Sequence, residues 1–157
     1  KVHLDIVGGG PYLAVLAARV AEEGLGERVT IHGYIEDHQE VERLLMQCGI
    51  GIALYQPKEG DFSVYADPGK PKVYLACGLP VVIVKVPEVA EEIERRGAGR
   101  AIKYDAGELE EALEQIMARH AEYRARALAM ASEYEWDDVF ARAWRETGME
   151  ARDENGE

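Results

Sequence analysis

The sequence predicts an α/β fold: a Rossmann-like, doubly wound parallel sheet of about five strands, with helices on both faces and a long C-terminal helical segment. Three observations carry this reading. Short β-branched runs alternate with stretches of helical periodicity along the whole chain. Glycines punctuate the steps between them. One run, Val81–Val86, is almost purely β-branched, as a central strand buried on both faces should be. Strand and helix in strict alternation imply right-handed crossovers and parallel pairing.

The elements follow in order. Val2–Val7 reads as a strand, broken by Gly8-Gly9-Gly10-Pro11, with Pro11 suited to the first position of a helix. Leu13, Leu16, Ala17 and Val20 then fall at helical spacing, and Gly24 and Gly26 stop the helix. Val29–Ile31 is a second strand, ending at Gly33. Asp37 suits the N-cap of a helix running through Val41, Leu44, Leu45 and Cys48, and Ile50–Leu54 is a third strand. The polar stretch from Tyr55 to Gly69 is the longest loop, of the kind that carries function in compact domains. A short helix, Lys70–Cys77, stops at Gly78; Asp67 would cap it and Pro68 pre-set its first turn. After Val81–Val86 come a helix at Glu88–Arg96, closed by Gly97 and Gly99, and a last strand at Arg100–Tyr104. From Gly107 onward the pattern is helical, with one apolar stripe of Leu109, Ala112, Leu113, Ile116, Met117 and His120. Trp136, Val139, Phe140 and Trp144 form a second apolar cluster. This places one domain over 1–147 and a frayed acidic tail over 148–157.

Composition removes several function classes. The chain has 157 residues, 47% of them hydrophobic, which suits one domain with a proper core. Lys plus Arg is 18 against 30 Asp plus Glu, a formal charge of -12. That balance argues against a nucleic-acid backbone or an anionic membrane surface as partner. There is no run of about 18 apolar residues to form a transmembrane helix, and no signal-peptide pattern. The chain opens on a strand without an initiator Met, as a piece of a longer protein would. Cys48 and Cys77 stand far apart, with no C-x-x-C and no His at ligand spacing. They read as buried, reduced thiols of a cytoplasmic protein, and no metal site is expected. His32 and His38 read as surface residues, and His120 as packed or surface.

In doubly wound sheets ligands bind beyond the carboxyl ends of the strands. That edge holds the segments after Val7, Ile31, Leu54 and Val86. Gly8-Gly9-Gly10 could bring a phosphate to backbone N–H groups at a helix start, or simply make a tight turn. A dinucleotide fingerprint would need Gly or Ala where Leu13 stands, and an acid after the second strand, where Ile31-His32-Gly33 has none. An NAD-linked oxidoreductase is therefore the weakest reading. Asp67-Pro68-Gly69-Lys70 is a second helix start, where free N–H groups and a cation would together hold a diphosphate. A capped helix with a solvated Lys is the plain alternative. Glu59, Asp61, Ser63 and Tyr65 supply the carboxylates and hydroxyls that sugar hydroxyls call for.

The stretch from Pro68-Gly69-Lys70 through Tyr74-Leu75-Ala76-Cys77-Gly78-Leu79-Pro80-Val81-Val82 resembles the P-x-K-x-x-E-Y-L-A-x-G-x-P-V-V pattern of the family-4 glycosyltransferases (glycosyl transferases group 1) of the GT-B fold. Ile6-Val7-Gly8-Gly9-Gly10-Pro11 resembles their I-V-G-x-G-P turn, and Val29 to Ile35 their V-x-F-x-G-x-V strand. Tyr134-Glu135-Trp136 is similar to the aromatic-Trp step of their terminal helix. The resemblance spans Val2 to about Thr147, in order.

It implies the C-terminal, nucleotide-sugar-binding domain of a retaining enzyme that moves a hexose from a UDP- or GDP-sugar to a glycan or lipid-linked acceptor. Gly33, Tyr34 and Ile35 would line the base pocket. Pro68, Gly69 and Lys70 would meet the diphosphate and donor sugar, with Ser63, Tyr65 and Asp67 beside them and Glu59 the catalytic candidate. The donor is a substrate, and no permanently bound cofactor is expected. The acceptor would be held by a separate N-terminal domain, which also supplies any membrane-surface contact of an otherwise cytoplasmic enzyme; this domain alone should be inactive. The family's two glutamates, eight residues apart, are missing: Val73 stands at the second position and Tyr65 eight residues earlier. The family's diphosphate-binding Arg and Lys lie on a strand–helix unit before the point where this chain starts. A non-catalytic binding or assembly module with a decayed donor site is the alternative.

Overall fold

The computed structural model describes residues 2–56 and 68–134. Strands and helices alternate as expected: β1 (Leu4–Val7), α1 (Leu13–Glu22), β2 (Val29–Gly33), α2 (His38–Leu45), β3 (Gly51–Ala53), α3 (Gly69–Ala76), β4 (Val81–Val84), α4 (Val89–Arg96) and β5 (Gly99–Ile102). Two helices follow, α5 (Ala106–Ala118) and α6 (His120–Ala131). The chain divides into two compact units, Lys1–Leu44 and Leu45–Glu157. The strands, all parallel, form a two-stranded sheet β1-β2 and a three-stranded sheet β3-β4-β5 rather than one sheet of five. Local sequence dictates each strand, whereas the choice of neighbour is a long-range pairing that periodicity does not encode.

In the first unit, Leu4, Asp5 and Ile6 pair with Val29, Thr30 and Ile31, and the register then slips so that Val7 faces Gly33. The slip leaves His32 as the extra residue of a bulge. Its Nε2 lies 2.8 Å from Asp5 Oδ1, and His3 Nε2 lies 2.9 Å from Thr30 Oγ1, so polar pairs cross the strands. His32 is thus a partnered, half-buried side chain rather than a free surface one. Pro11 does not open α1. Leu13 N donates to Gly10 O at 3.1 Å, and this preceding turn pushes the helix start to Leu13, with Tyr12 at the cap position. Asp37 does cap α2, its Oδ1 accepting from Gln39 N at 2.9 Å. The helix stops at Leu45, short of Cys48, whose N–H bonds back to Leu45 O.

In the second unit β4 is central, and all four of its residues are buried. Val81 and Ile83 face Leu75 of α3, Ala90 and Ile93 of α4, and Ala127 and Met130 of α6. Val82 and Val84 face the other layer, with Ala112 and Ile116 of α5 and Tyr123 of α6. This sheet is therefore covered on both faces, which is why its middle strand carries no polar alternation. Among the described residues no polar or charged side chain is fully buried. The long helical stretch is broken at Arg119, whose φ of -131 leaves the helical region, and His120 heads α6 with its Nε2 donating to Gly49 O at 2.7 Å. Asp105 caps α5, accepting from Glu108 N at 2.9 Å, while Glu108 accepts from Lys103 N at 2.7 Å. Cys48 and Cys77 are not joined in a disulfide and are half-buried rather than buried. Trp136, Val139, Phe140, Trp144 and the tail over 148–157 lie outside the described residues.

Candidate functional site

Each unit presents a strand-end segment of the kind that binds ligands. In the first unit, Gly8 N donates to Gly33 O at 2.8 Å and ties the loop after β1 to the end of β2. A Cβ on Gly9 would come within 3.3 Å of Tyr34 Cβ, a tight contact, so the glycine turn lies close against Tyr34. Beside this junction Tyr34 is 76% exposed and Ile35 is half-buried. Gly33, Tyr34 and Ile35 thus sit against the glycine turn that sequence reading singled out separately.

In the second unit, the cap position of α3 is Pro68, in extended conformation (φ -74, ψ 128), one residue later than expected, with no side-chain cap hydrogen bond. Asp67, proposed for that role, lies outside the described residues, as do Glu59, Asp61, Ser63 and Tyr65. Gly69 and Lys70 form the first turn and are exposed; Pro71 follows and is buried. The first-turn N–H groups of a helix have no partner inside it. Prolines at positions 68 and 71 carry no N–H, so the N–H groups of Gly69 and Lys70 remain there, beside the Lys70 side chain. Two adjacent amide donors at the positive end of a helix, with an ammonium, suit an oxyanion. Val73, standing where the resemblance calls for a glutamate, is 40% exposed on this helix.

Two phenols adjoin α3. The Tyr55 hydroxyl, just past β3, is buried without a hydrogen-bond partner among the described residues, and burial followed by the neighbouring Tyr74 raises its pKa. Tyr74, on α3, is raised by burial and then by Cys48. Both therefore stay neutral through the physiological range.

The far end of α3 is held from α6. Leu79 N donates to Tyr74 O and Gly78 N to Leu75 O, a two-bond cap that turns on Gly78 (φ 73). Arg124 Nη1 donates to Gly78 O at 3.0 Å. The guanidinium of Arg126 lies against Gly97 (φ 66), which closes α4 in the same way. Beyond α6, Tyr134 receives the Lys72 ammonium over its ring at 5.1 Å, and Glu133 pairs with both terminal nitrogens of Arg96, at 2.5 and 2.8 Å. The sequence marks the stop at Gly78 but none of the contacts of Arg124, Arg126, Lys72 and Arg96, whose partners lie 29 or more residues away and carry no local signal.

A shallow depression runs along α1, lined by Ala14, Val15, Ala18, Arg19, Glu22 and Glu23. Its polar groups include the Arg19–Glu23 pair at 3.0 Å. Among the described residues no cluster of His, Cys, Asp and Glu could hold a metal ion. No helix among them is long and apolar enough to cross a membrane.

No curated protein matches the chain. Among solved structures, HepE of Anabaena, in complex with UDP, is 21% identical with a TM-score of 0.66, over 93% of this chain and 40% of that one. WaaG, a glycosyltransferase involved in lipopolysaccharide biosynthesis, is 20% identical with a TM-score of 0.61, over 90% of this chain and 36% of that one. Sucrose-phosphate synthase from Thermosynechococcus elongatus is 22% identical with a TM-score of 0.60, over 93% and 38%. The chain thus spans at most 40% of the length of these structures, and the likeness is one of fold. The family model described as glycosyl transferases group 1 matches residues 1–119. By that match and the fold it shares with these enzymes, the chain belongs to the glycosyl transferases group 1 family.

Proposed function

We propose that this chain is the donor-binding part of a retaining glycosyltransferase, which moves a hexose from a UDP- or GDP-sugar to a glycan or lipid-linked acceptor. The observation that carries the reading is the family match over residues 1–119. By the resemblance, Gly33, Tyr34 and Ile35 contact the base, partly through backbone atoms. Pro68, Gly69 and Lys70 meet the diphosphate, where two amide N–H groups and an ammonium stabilise the charge that grows on the leaving group. Ser63, Tyr65 and Asp67 face the donor sugar, with Glu59 the candidate for the catalytic carboxylate. The nucleotide sugar is substrate, and the enzyme works in the cytoplasm without a resident cofactor. The acceptor is held by an N-terminal domain, so the 157-residue chain binds donor without turning it over. Sugar transfer by this chain alone would refute that last statement.

A second reading, a binding module with a decayed donor site, is favoured by Val73, an exposed apolar residue at the position of a ribose-binding glutamate. Thermal unfolding with UDP, GDP, ADP and NAD separates the two. A nucleotide at 100 times its dissociation constant adds about 2.7 kcal/mol, a rise of several degrees at this size. A rise with UDP or GDP that Lys70→Ala abolishes supports the donor reading. No rise with either nucleotide supports the decayed site, and a rise with NAD alone overturns both.

A further inference from the structure

We propose that Arg124 is a positioning residue for nucleotide binding. Held at its far end by Arg124, α3 presents the N–H groups of Gly69 and Lys70 at the angle the anion requires. The proposal rests on the donor reading above and adds what places its anion end.

In the first turn of α3 the buried residue is Pro71, while the two residues that offer N–H groups have no side-chain anchor among the described residues. Pro68 makes no side-chain cap bond, and Gly69 and Lys70 are exposed. What holds the helix lies further along it. Pro71 and Leu75 are buried, Lys72 sits over Tyr134, and the chain turns at Gly78. The Gly78 carbonyl accepts from Arg124 Nη1 at 3.0 Å in a part-buried contact. The guanidinium carbon and Nη1 both lie 3.0 Å from where a Gly78 Cβ would be, so the Arg packs flat on the turn as well as bonding to it. An eight-residue helix is about 12 Å long and behaves as a rod. A tilt allowed at Gly78 is therefore delivered to Gly69 and Lys70. Arg126 provides an internal control: it is a cation on the same helix, lying on the same kind of glycine turn, but at the end of α4.

The test is UDP binding by calorimetry, with amide hydrogen exchange on the same proteins, for wild type, Arg124→Ala, Arg124→Lys and Arg126→Ala. The loss of a charged hydrogen bond at the pivot should weaken UDP by about tenfold in Arg124→Ala. The amides of residues 72–77 should exchange faster while those of β4 stay protected. Arg124→Lys should restore most of the affinity, because an ammonium still reaches the Gly78 carbonyl. Arg126→Ala should bind UDP as wild type does. Unchanged UDP affinity in Arg124→Ala overturns the proposal, and so does an equal loss in Arg126→Ala, which would mean general loosening of α6. If Arg124→Ala does not fold, Arg124→Met, which keeps the apolar stem but has no N–H donor, replaces it with the same criteria. A wild-type chain that binds none of UDP, GDP and ADP refutes the donor reading itself, and the proposal falls with it.

Discussion

Ile83 is the residue on which the core of the second unit should depend most. It is fully buried in the middle of β4, and its register partners on both sides are alanines, Ala53 on β3 and Ala101 on β5. Its side chain packs in one cluster with those alanines and with Leu75, Ile93, Ala127 and Met130. Ile83→Ala removes three carbons, and at roughly 0.8 kcal/mol for each buried methylene the transfer loss is about 2.4 kcal/mol. The cavity adds to this. The flanking alanines have no rotamer freedom with which to refill it, so the total should fall near 4 kcal/mol, in the upper part of the range for such truncations. At 2–4 °C per kcal/mol for about this chain length, the melting temperature should fall by about 8–16 °C. Ile83→Val, losing one carbon, should cost about 1 kcal/mol. Urea unfolding followed by circular dichroism measures both, with a lower midpoint and an unchanged slope. A loss in Ile83→Ala below about 2 kcal/mol would show that the layers close over the gap, and would refute the account of a rigidly packed centre.

Other expectations follow from single contacts. At Gly99 a Cβ would run into the Val81 carbonyl oxygen of the neighbouring strand, so Gly99→Ala should abolish cooperative unfolding or stable expression, whereas Gly26→Ala, with open space around it, should not. Asp105→Ala removes the cap of α5 and should cost about 1 kcal/mol in the same urea assay, with Asp105→Asn nearly neutral. Tyr55 and Tyr74 have raised pKa values in the folded state, so the unfolded chain loses their protons first. Their contribution to stability should be constant below about pH 10 and be lost as pH rises above it, and phenolate absorbance of Tyr55→Phe should lack a late-titrating group. Glu133→Ala, which breaks a half-exposed bidentate pair with Arg96, should cost no more than about 1 kcal/mol, less at high salt.

Much of this architecture was legible in the sequence because it is local. Val81–Val84 announces a doubly covered strand by its composition, Asp37 announces a helix start, and Gly78 and Gly97 announce helix ends. The misreadings all involve a distant or competing partner. Pro11 looks like a first helical residue, but the Gly10–Leu13 turn takes that place. The stripe ending at His120 looks like one helix, but Arg119 breaks it where His120 reaches Gly49, 71 residues away. The pairing of strands into two sheets has no local signal either. At the candidate site, the glycine turn and the Pro68-Gly69-Lys70 helix start are readable because glycine and proline restrict backbone geometry directly. The tie between Gly8 and Gly33, and the hold of Arg124 on Gly78, join residues that the sequence keeps apart.

The two arginines of α6 also set how this helix can change over time. Positions 124 and 126 are about 200° apart around the axis, so one guanidinium reaches the turn after α3 and the other the turn after α4, while His120 pins the start of the helix to Gly49. One inserted or deleted residue between His120 and Arg124 would rotate both guanidiniums by about 100° and detach them together. Along this stretch the helix should accept exchanges of side chain at its outward positions and reject changes of length.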